Sequence, residues 1–377
     1  MKDPRIAVVH EWFVDYSGSE KVVEQMLNCF PESELFSLIE FLPEKLRFFI
    51  KNKKVTTSFI QRLPFAKTNY RNYLPLMPFA VEQLNVSKAD IIITSNHAVS
   101  KGVISNSNQL TICYCHSPIR YAWDLYFDYL EQSNLNRGIT GLFAKFVLHK
   151  IRQWDLSTVN RVDYFIANSN YIARRIKKIY NREATVIHPP VDIEEFSLKH
   201  EKENFYMTSS RLVQYKKIDL IVRAFNEMPE KRLVVIGDGA EMKKIKSIAG
   251  KNIELMGFLE KKKLVDYMQR AKAFVFAAEE DFGITPVEAQ ACGTPVIAFR
   301  KGGCMETIIE HKTGLFFNDQ HKDSIIDAVK KFENIAHIFD PSEIRKNAER
   351  FSNERFRHSF SLFVEEKYAE FRSNLSH

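Results

Sequence analysis

The chain has 377 residues, 45% of them hydrophobic and 12% aromatic, which exceeds the length over which one core keeps growing and sets the expectation of two domains. Five cysteines, Cys29, Cys113, Cys115, Cys292 and Cys304, are too few and too odd in number for a disulfide framework, and Cys113-Tyr114-Cys115 lacks zinc-site spacing. A net charge of +7 suits an anionic ligand or an anionic membrane surface, but no zinc-finger, RNP or helix-turn-helix spacing accompanies it, so no nucleic-acid partner is expected.

The N-terminal "MKDPRIAVVHEWF" puts one charged cluster before a strand-like run too short for a signal-peptide core. No stretch approaches the ~18–20 apolar residues of a membrane span, and a cytoplasmic protein with reduced thiols is expected. Near-continuous apolar runs at 5–10, 90–95, 110–115 and 163–168 read as parallel strands covered on both faces. Helical patterns at 19–30 and 170–181 alternate with them. Residues 45–83 break this rhythm, being dense in Lys, Arg, Phe, Tyr and Leu and interrupted by prolines. Such a stretch either lies on an anionic membrane or packs its aromatics under the first domain with its cations solvated. The basic helix at 141–156 leaves the same two alternatives.

Pro189-Pro190 ends a strand and forbids helix, which marks a hinge. The pattern then restarts with strands at 204–210, 232–239, 252–257, 273–279 and 295–299, helices at 217–228 and 322–333, and a final amphipathic helix. The expected fold class is α/β, with two Rossmann-like doubly wound domains at 1–192 and 193–355 and a terminal helix at 356–377.

The stretch 279–298, "EEDFGITPVEAQACGTPVIA", passes from strand through a glycine loop to helix. In open α/β sheets, ligands bind beyond the carboxyl ends of strands, where this loop lies. Thr285, Pro286 and Glu288 spell a helix start, with Thr as cap and Glu as the third residue of a capping box. The same residues also suit a phosphate-binding helix end, with Glu280 and Glu288 flanking Asp281, Phe282, Gly283 and Ile284. Arg211 follows the strand at 204–210 and Lys216 precedes the next helix, so a guanidinium fork and an ammonium reach the same sheet edge. Lys217 leaves open which lysine turns inward. In the first half, Gly18 and Ser19 precede a helix, and His116 follows the strand at 110–115.

Taken together and in order, "RLVQYKKIDLIVRAF", "VIGDG", "EEDFGITPVEAQACGTPVIA", "GGCMETI" and "TGLFF" resemble the retaining GT-B glycosyltransferases of glycosyltransferase family 4. "CHSP", "FIANS" and "IHPPVD" extend the likeness, which looks strongest toward bacterial O-antigen mannosyltransferases. The resemblance implies two Rossmann-like domains, a last helix returning to the first, and a nucleotide-sugar donor with no metal or other cofactor. It implies that Glu288 binds the donor ribose, Glu280 the donor sugar, Arg211 and Lys216 the diphosphate, and that His116 lines the sugar site. Gly18 stands where the family has a longer glycine-rich loop, here shortened to "SGSE". The implied acceptor is lipid-linked or an oligosaccharide, and the implied donor is GDP-mannose, with UDP-sugars or deoxy-sugar nucleotides as alternatives. A Rossmann oxidoreductase is disfavoured because no Gly-x-Gly-x-x-Gly follows a strand. A non-catalytic α/β scaffold predicts that loss of Glu280 or Lys216 is harmless.

Overall fold

The computed structural model describes residues 4–133 and 135–375. They form two compact units, one running to His188 and resuming at Phe356, the other spanning Pro189–Arg355.

The first unit is built on a seven-stranded parallel sheet in the order β3-β2-β1-β4-β5-β6-β7. Its strands are β1 (Ile6–Phe13), β2 (Glu34–Glu40), β3 (Val55–Thr57), β4 (Ile91–Asn96), β5 (Leu110–Cys115), β6 (Tyr164–Ala167) and β7 (Ala184–Val186). Side chains alternate across it: Ile6 and Val8 enter one core while Ala7 and Val9 enter the other. Both faces are covered, and for that reason β4 and β5 are buried at every residue. The last helix, Asn353–Leu375, closes one face with Phe356, Phe360, Phe363 and Val364. Their spacing makes a single helical stripe, and each phenylalanine so buried contributes roughly 1.5–3 kcal/mol.

β1 runs to Phe13, three residues past the apolar run at 5–10, so "EWF" is strand as well. β2, β3 and the strand Gly314–Phe317 were not foreseen, whereas β7 is the strand expected before Pro189. β2, "ELFSLIE", has charged ends and a central Ser37 that break the apolar run; the Ser37 hydroxyl is satisfied by donating to the Ile39 carbonyl. Residues 45–83 fold into short helical turns that bury Phe49, Ile50, Ile60, Tyr70 and Met77. Phe48, Phe59, Phe65, Leu76 and Phe79 stay exposed.

The second unit repeats the plan with six parallel strands in the order β10-β9-β8-β11-β12-β13. They are β8 (Tyr206–Ser209), β9 (Leu233–Ile236), β10 (Ile253–Gly257), β11 (Ala273–Phe276), β12 (Val296–Phe299) and β13 (Gly314–Phe317). In both sheets the strand order reverses beside the first strand, at β1/β4 and at β8/β11. That reversal opens a crevice beyond the carboxyl ends of those strands. Among the described residues, no helix is long and apolar enough to cross a membrane.

Candidate functional site

In the second unit, the loops after β8 and β11 border the crevice and carry the basic and acidic groups. Arg211 lies two residues past β8, and its exposed guanidinium donates to the Tyr215 hydroxyl at 3.3 Å. Lys216 closes the turn Gln214–Lys216, and its ammonium pairs with Glu280 beyond β11. Both side chains are largely covered, at 14% and 18% exposure, so this pair is screened less than a surface one. Lys217 instead adopts the left-handed conformation, φ 56°, that starts the helix Ile218–Asn226. Lys216 is therefore the lysine that meets Glu280.

Two pairs of glycines hold these loops in place. A Cβ on Gly237 would stand 1.8 Å from the Ser210 carbonyl oxygen, and one on Gly239 would stand 2.5 Å from that of Leu212. The closeness lets Ser210 N–H donate to Ile236 at 3.1 Å and Leu212 N–H to Asp238 at 2.9 Å, clamping Arg211 between them. On the other side, Cβ atoms on Gly302 and Gly303 would lie 2.3 Å from the Glu280 carbonyl oxygen and 2.2 Å from Phe282 Cα. Gly303 N–H donates to the Glu280 carbonyl at 2.8 Å. "IGDG" and "GGCME" thus brace the two loops that bear Arg211 and Glu280.

The helix after the glycine loop begins earlier than the sequence suggested. Gly283, left-handed at φ 86°, caps Ile284–Ala291, and no acidic residue occupies its first turn. Thr285, Pro286 and Glu288 are the second, third and fifth helical residues, so the capping box does not form. Glycine wins because the chain must turn through positive φ there. Pro286 sits where an N–H would lack an intrahelical acceptor, which leaves the N–H groups of Gly283, Ile284 and Thr285 as the free donors of this end. Phe282 is buried, edge-on to Phe351 at 5.3 Å, so only its backbone faces the loop. Asp281 and Glu288 are partly buried.

In the first unit, Gly18 is the first helical residue of Gly18–Cys29 rather than a residue before the helix. Ser17 is the cap, and Glu20 accepts the Ser17 N–H at 3.1 Å and the Ser17 and Ser19 hydroxyls at 2.8 and 3.0 Å. His116 lies just past β5, its Nε2 2.8 Å from the Ser95 hydroxyl, and its carbonyl accepts from Asn168 at 3.0 Å.

Sequence reasoning missed the groups around His116. Glu11 on β1 is fully buried, and its Oε1 accepts from the backbone N–H groups of His97, Ala98, Val99 and Ser100 at 2.9–3.2 Å. Its Oε2 stands 3.1 Å from His97 Nδ1. Burial pushes the Glu11 carboxyl up, but His97, His10 and the backbone donors outweigh it and hold the acid far below its ordinary range. His97 is pushed down by burial and, more strongly, up by Glu11, ending above its ordinary value. His116, buried beside His97 and His10, is pushed down to about 3. Burial pushes the Glu20 carboxyl up, but the hydrogen bond and charge of His10, together with Ser17 and the backbone, outweigh it and hold it at about 2. Histidines on β1 and just past β4 and β5 were the available signal. Their meeting depends on strand order, which the sequence does not display.

Two family profiles match consecutive parts of the chain: Glycosyltransferase Family 4 over residues 16–195 and Glycosyl transferases group 1 over residues 191–352. The chain belongs to the family 4, group 1 glycosyltransferases. An uncharacterized glycosyltransferase of Methanocaldococcus jannaschii is 29% identical over 189 residues, covering 49% of this chain and 52% of that protein. A Corynebacterium glutamicum enzyme, the GDP-mannose-dependent monoacylated alpha-(1-6)-phosphatidylinositol monomannoside mannosyltransferase, is 29% identical over 195 residues, covering 44% and 51%. The chain spans about half the length of the curated relatives it matches. Anabaena HepE, solved with UDP and glucose, shares the GT-B fold at a TM-score of 0.67 and 15% identity, over 96% of this chain and 100% of that one.

Proposed function

We propose that this glycosyltransferase moves a hexose from a nucleotide sugar to a hydroxyl of a lipid-linked or polysaccharide acceptor, with retained anomeric configuration. The observation that carries the reading is the Lys216–Glu280 pair beside Arg211 at the β8/β11 reversal. In this reading the second unit binds the donor and the first receives the acceptor. Arg211, Lys216 and the N–H groups of Gly283, Ile284 and Thr285 take the diphosphate. Glu280 accepts from the sugar hydroxyls and Glu288 from the ribose, with Asp281 and Phe282 shaping the donor loop. His116, kept neutral by burial, and Gly18 complete the sugar side.

The bond from the sugar C1 to the phosphate oxygen breaks as one to the acceptor oxygen forms on the same face. The acceptor proton passes to the departing phosphate. Arg211 and Lys216 stabilise the negative charge that grows on that phosphate, more in the transition state than in the ground state. No metal is required in this scheme. The five cysteines are free thiols, which supports a cytoplasmic site of action.

GDP-mannose is the favoured donor, supported by the named donor of the Corynebacterium relative and by the sequence likeness to O-antigen enzymes. The phosphate contacts suit a UDP-hexose equally. A screen of nucleotide sugars, read as release of nucleoside diphosphate, tests both readings. Fastest turnover of GDP-mannose is expected; preference for a UDP-sugar would overturn the donor assignment. Full activity of a folded Lys216→Ala or Glu280→Ala protein would overturn the site and favour a scaffold.

A further inference from the structure

The helix Gly138–Ser157 is anchored by one face and bare on another. Leu148, Ile151 and Asp155 are buried, while Ile139, Leu142, Phe143 and Phe146 are 88, 70, 62 and 57% exposed. Their spacing of three, one and three residues puts the four side chains on one stripe. A soluble surface gains nothing by holding two phenylalanines, a leucine and an isoleucine together in water. Phe127, on the preceding helix Tyr126–Gln132, is 81% exposed as well.

Charge identifies what covers the stripe. From residue 132 to residue 154 there is no acid, and Arg137, Lys145, Lys150 and Arg152 are all basic. Lys150 lies 5.7 Å from the Phe146 ring, placing a cation beside the apolar stripe. Residues 45–81 are likewise free of acids and carry eight Lys and Arg. Of the chain's 54 Lys and Arg, twelve lie in these two stretches, leaving 42 against 47 acids elsewhere. The whole positive surplus is therefore concentrated here. The stretches belong to one body, since Leu74 packs on the cluster containing Leu148 and Ile151. Phe65, held left-handed at φ 57°, is 76% exposed, with Arg62, Lys67 and Arg71 near it in the sequence. A bulky residue in that conformation with its ring in water suggests a use for the ring outside the fold.

We propose that the first half of the helix Gly138–Ser157 inserts Ile139, Leu142, Phe143 and Phe146 into the interface of an anionic lipid bilayer, with the acid-free basic stretches holding the headgroups. Exposed apolar side chains rimmed by Lys and Arg bind anionic bilayers by the sum of buried area and surface charge. A protein partner would instead need complementary acids and a fixed shape. This surface is defined independently of the donor site, so it stands or falls apart from the sugar chemistry.

Co-sedimentation with vesicles of phosphatidylglycerol and phosphatidylethanolamine, against phosphatidylcholine alone, tests it. Wild type is expected to bind the anionic vesicles at low salt and to be weakened at 0.5 M salt, as headgroup contacts are screened within about 10 Å. Phe143→Asp with Phe146→Asp is expected to reduce partitioning at least about tenfold, the apolar insertion being replaced by two repelled charges. Arg137→Glu with Lys150→Glu is expected to reduce it on anionic vesicles while leaving the apolar stripe intact. Circular dichroism and donor hydrolysis should match wild type in both variants. No binding to anionic vesicles, equal binding by the aspartate variant, or a wild-type dimer that the aspartate variant abolishes would each overturn the proposal.

Discussion

The carboxyl edges of the two sheets are built from the same topology and spend their charged groups differently. Beyond β8 and β11, the ions sit on glycine-braced loops, partly open to solvent, with Lys216 pairing across to Glu280. At the end of β1, Glu11 is sealed inside, one carboxylate oxygen accepting from four backbone donors and the other facing His97 at 3.1 Å. A carboxylate whose oxygen holds four buried backbone N–H groups is scaffold, because removing it leaves those donors unsatisfied. An ion pair at a loop edge can trade its partner for a ligand. One edge is made to hold shape and the other to hand over charge.

The sharpest way to break this contrast is to empty the sealed edge. Glu11→Ala leaves four N–H groups and His97 uncompensated and should cost about 3–5 kcal/mol in urea unfolding. The pH dependence has a definite sign. Glu11's contribution is complete above 4.5 and is lost as pH falls toward its strongly lowered folded value. His97 contributes fully below 6.5, and that stability is lost as pH rises through its raised folded value. His116 acts against the fold in acid, stability falling as pH drops from 6.5 to about 3. Glu11→Ala should erase the first two slopes and keep the third; an unchanged profile would remove Glu11 from its scaffold role.

At the open edge, Lys216→Ala should lower nucleoside diphosphate release about 10²–10³-fold, the range for removing one transition-state charge contact, with little change in melting temperature. A loss of stability as large as that of Glu11→Ala would erase the distinction between the edges. Gly303→Ala tests the bracing. Gly303 has an ordinary φ of −67°, so the obstacle is its approach to the facing backbone, at Phe282 Cα and the carbonyl oxygens of Phe282 and Asp281. Overpacking of about 1–3 kcal/mol is expected, together with a loss of turnover beyond what the lowered stability explains. The smallest effect is assigned to Lys217→Gly. Relief of its left-handed backbone should stabilise by up to about 1 kcal/mol and leave turnover within about twofold. A large loss of turnover would mean that Lys217, not Lys216, serves the ligand.

Much of the architecture was legible because parallel strands buried on both faces must be nearly all apolar, as "DIIITS" and "LTICYC" are. β2 escaped because Glu34, Ser37 and Glu40 punctuate it, and its burial depends on neighbours in the sheet. Arg211, Lys216 and Glu280 could be assigned to a sheet edge from strand-then-loop order alone. The direction of Lys216 could not, since a single left-handed residue, Lys217, decides it. The helix start at Gly283 was misread because Thr285-Pro286 is a strong local signal, and the backbone turn two residues earlier overrode it. Glu11 and His97 are 86 residues apart in the chain and meet only through the pairing of β1 with β4. No local pattern encodes that meeting.

The last helix starts in the second unit and finishes in the first, where Phe356, Phe360, Phe363 and Val364 line the core against Val8 and Ile93. During synthesis, the unit made first therefore waits for a segment that follows the second unit. The second unit, continuous from Pro189 to Arg355, can complete its own core while its predecessor still shows an open apolar face. A chain cut after Arg355 should leave the ribosome with that face uncovered, visible as dye binding and protease cleavage confined to the first 188 residues. The core begun first in the sequence is thus the one that can be closed last.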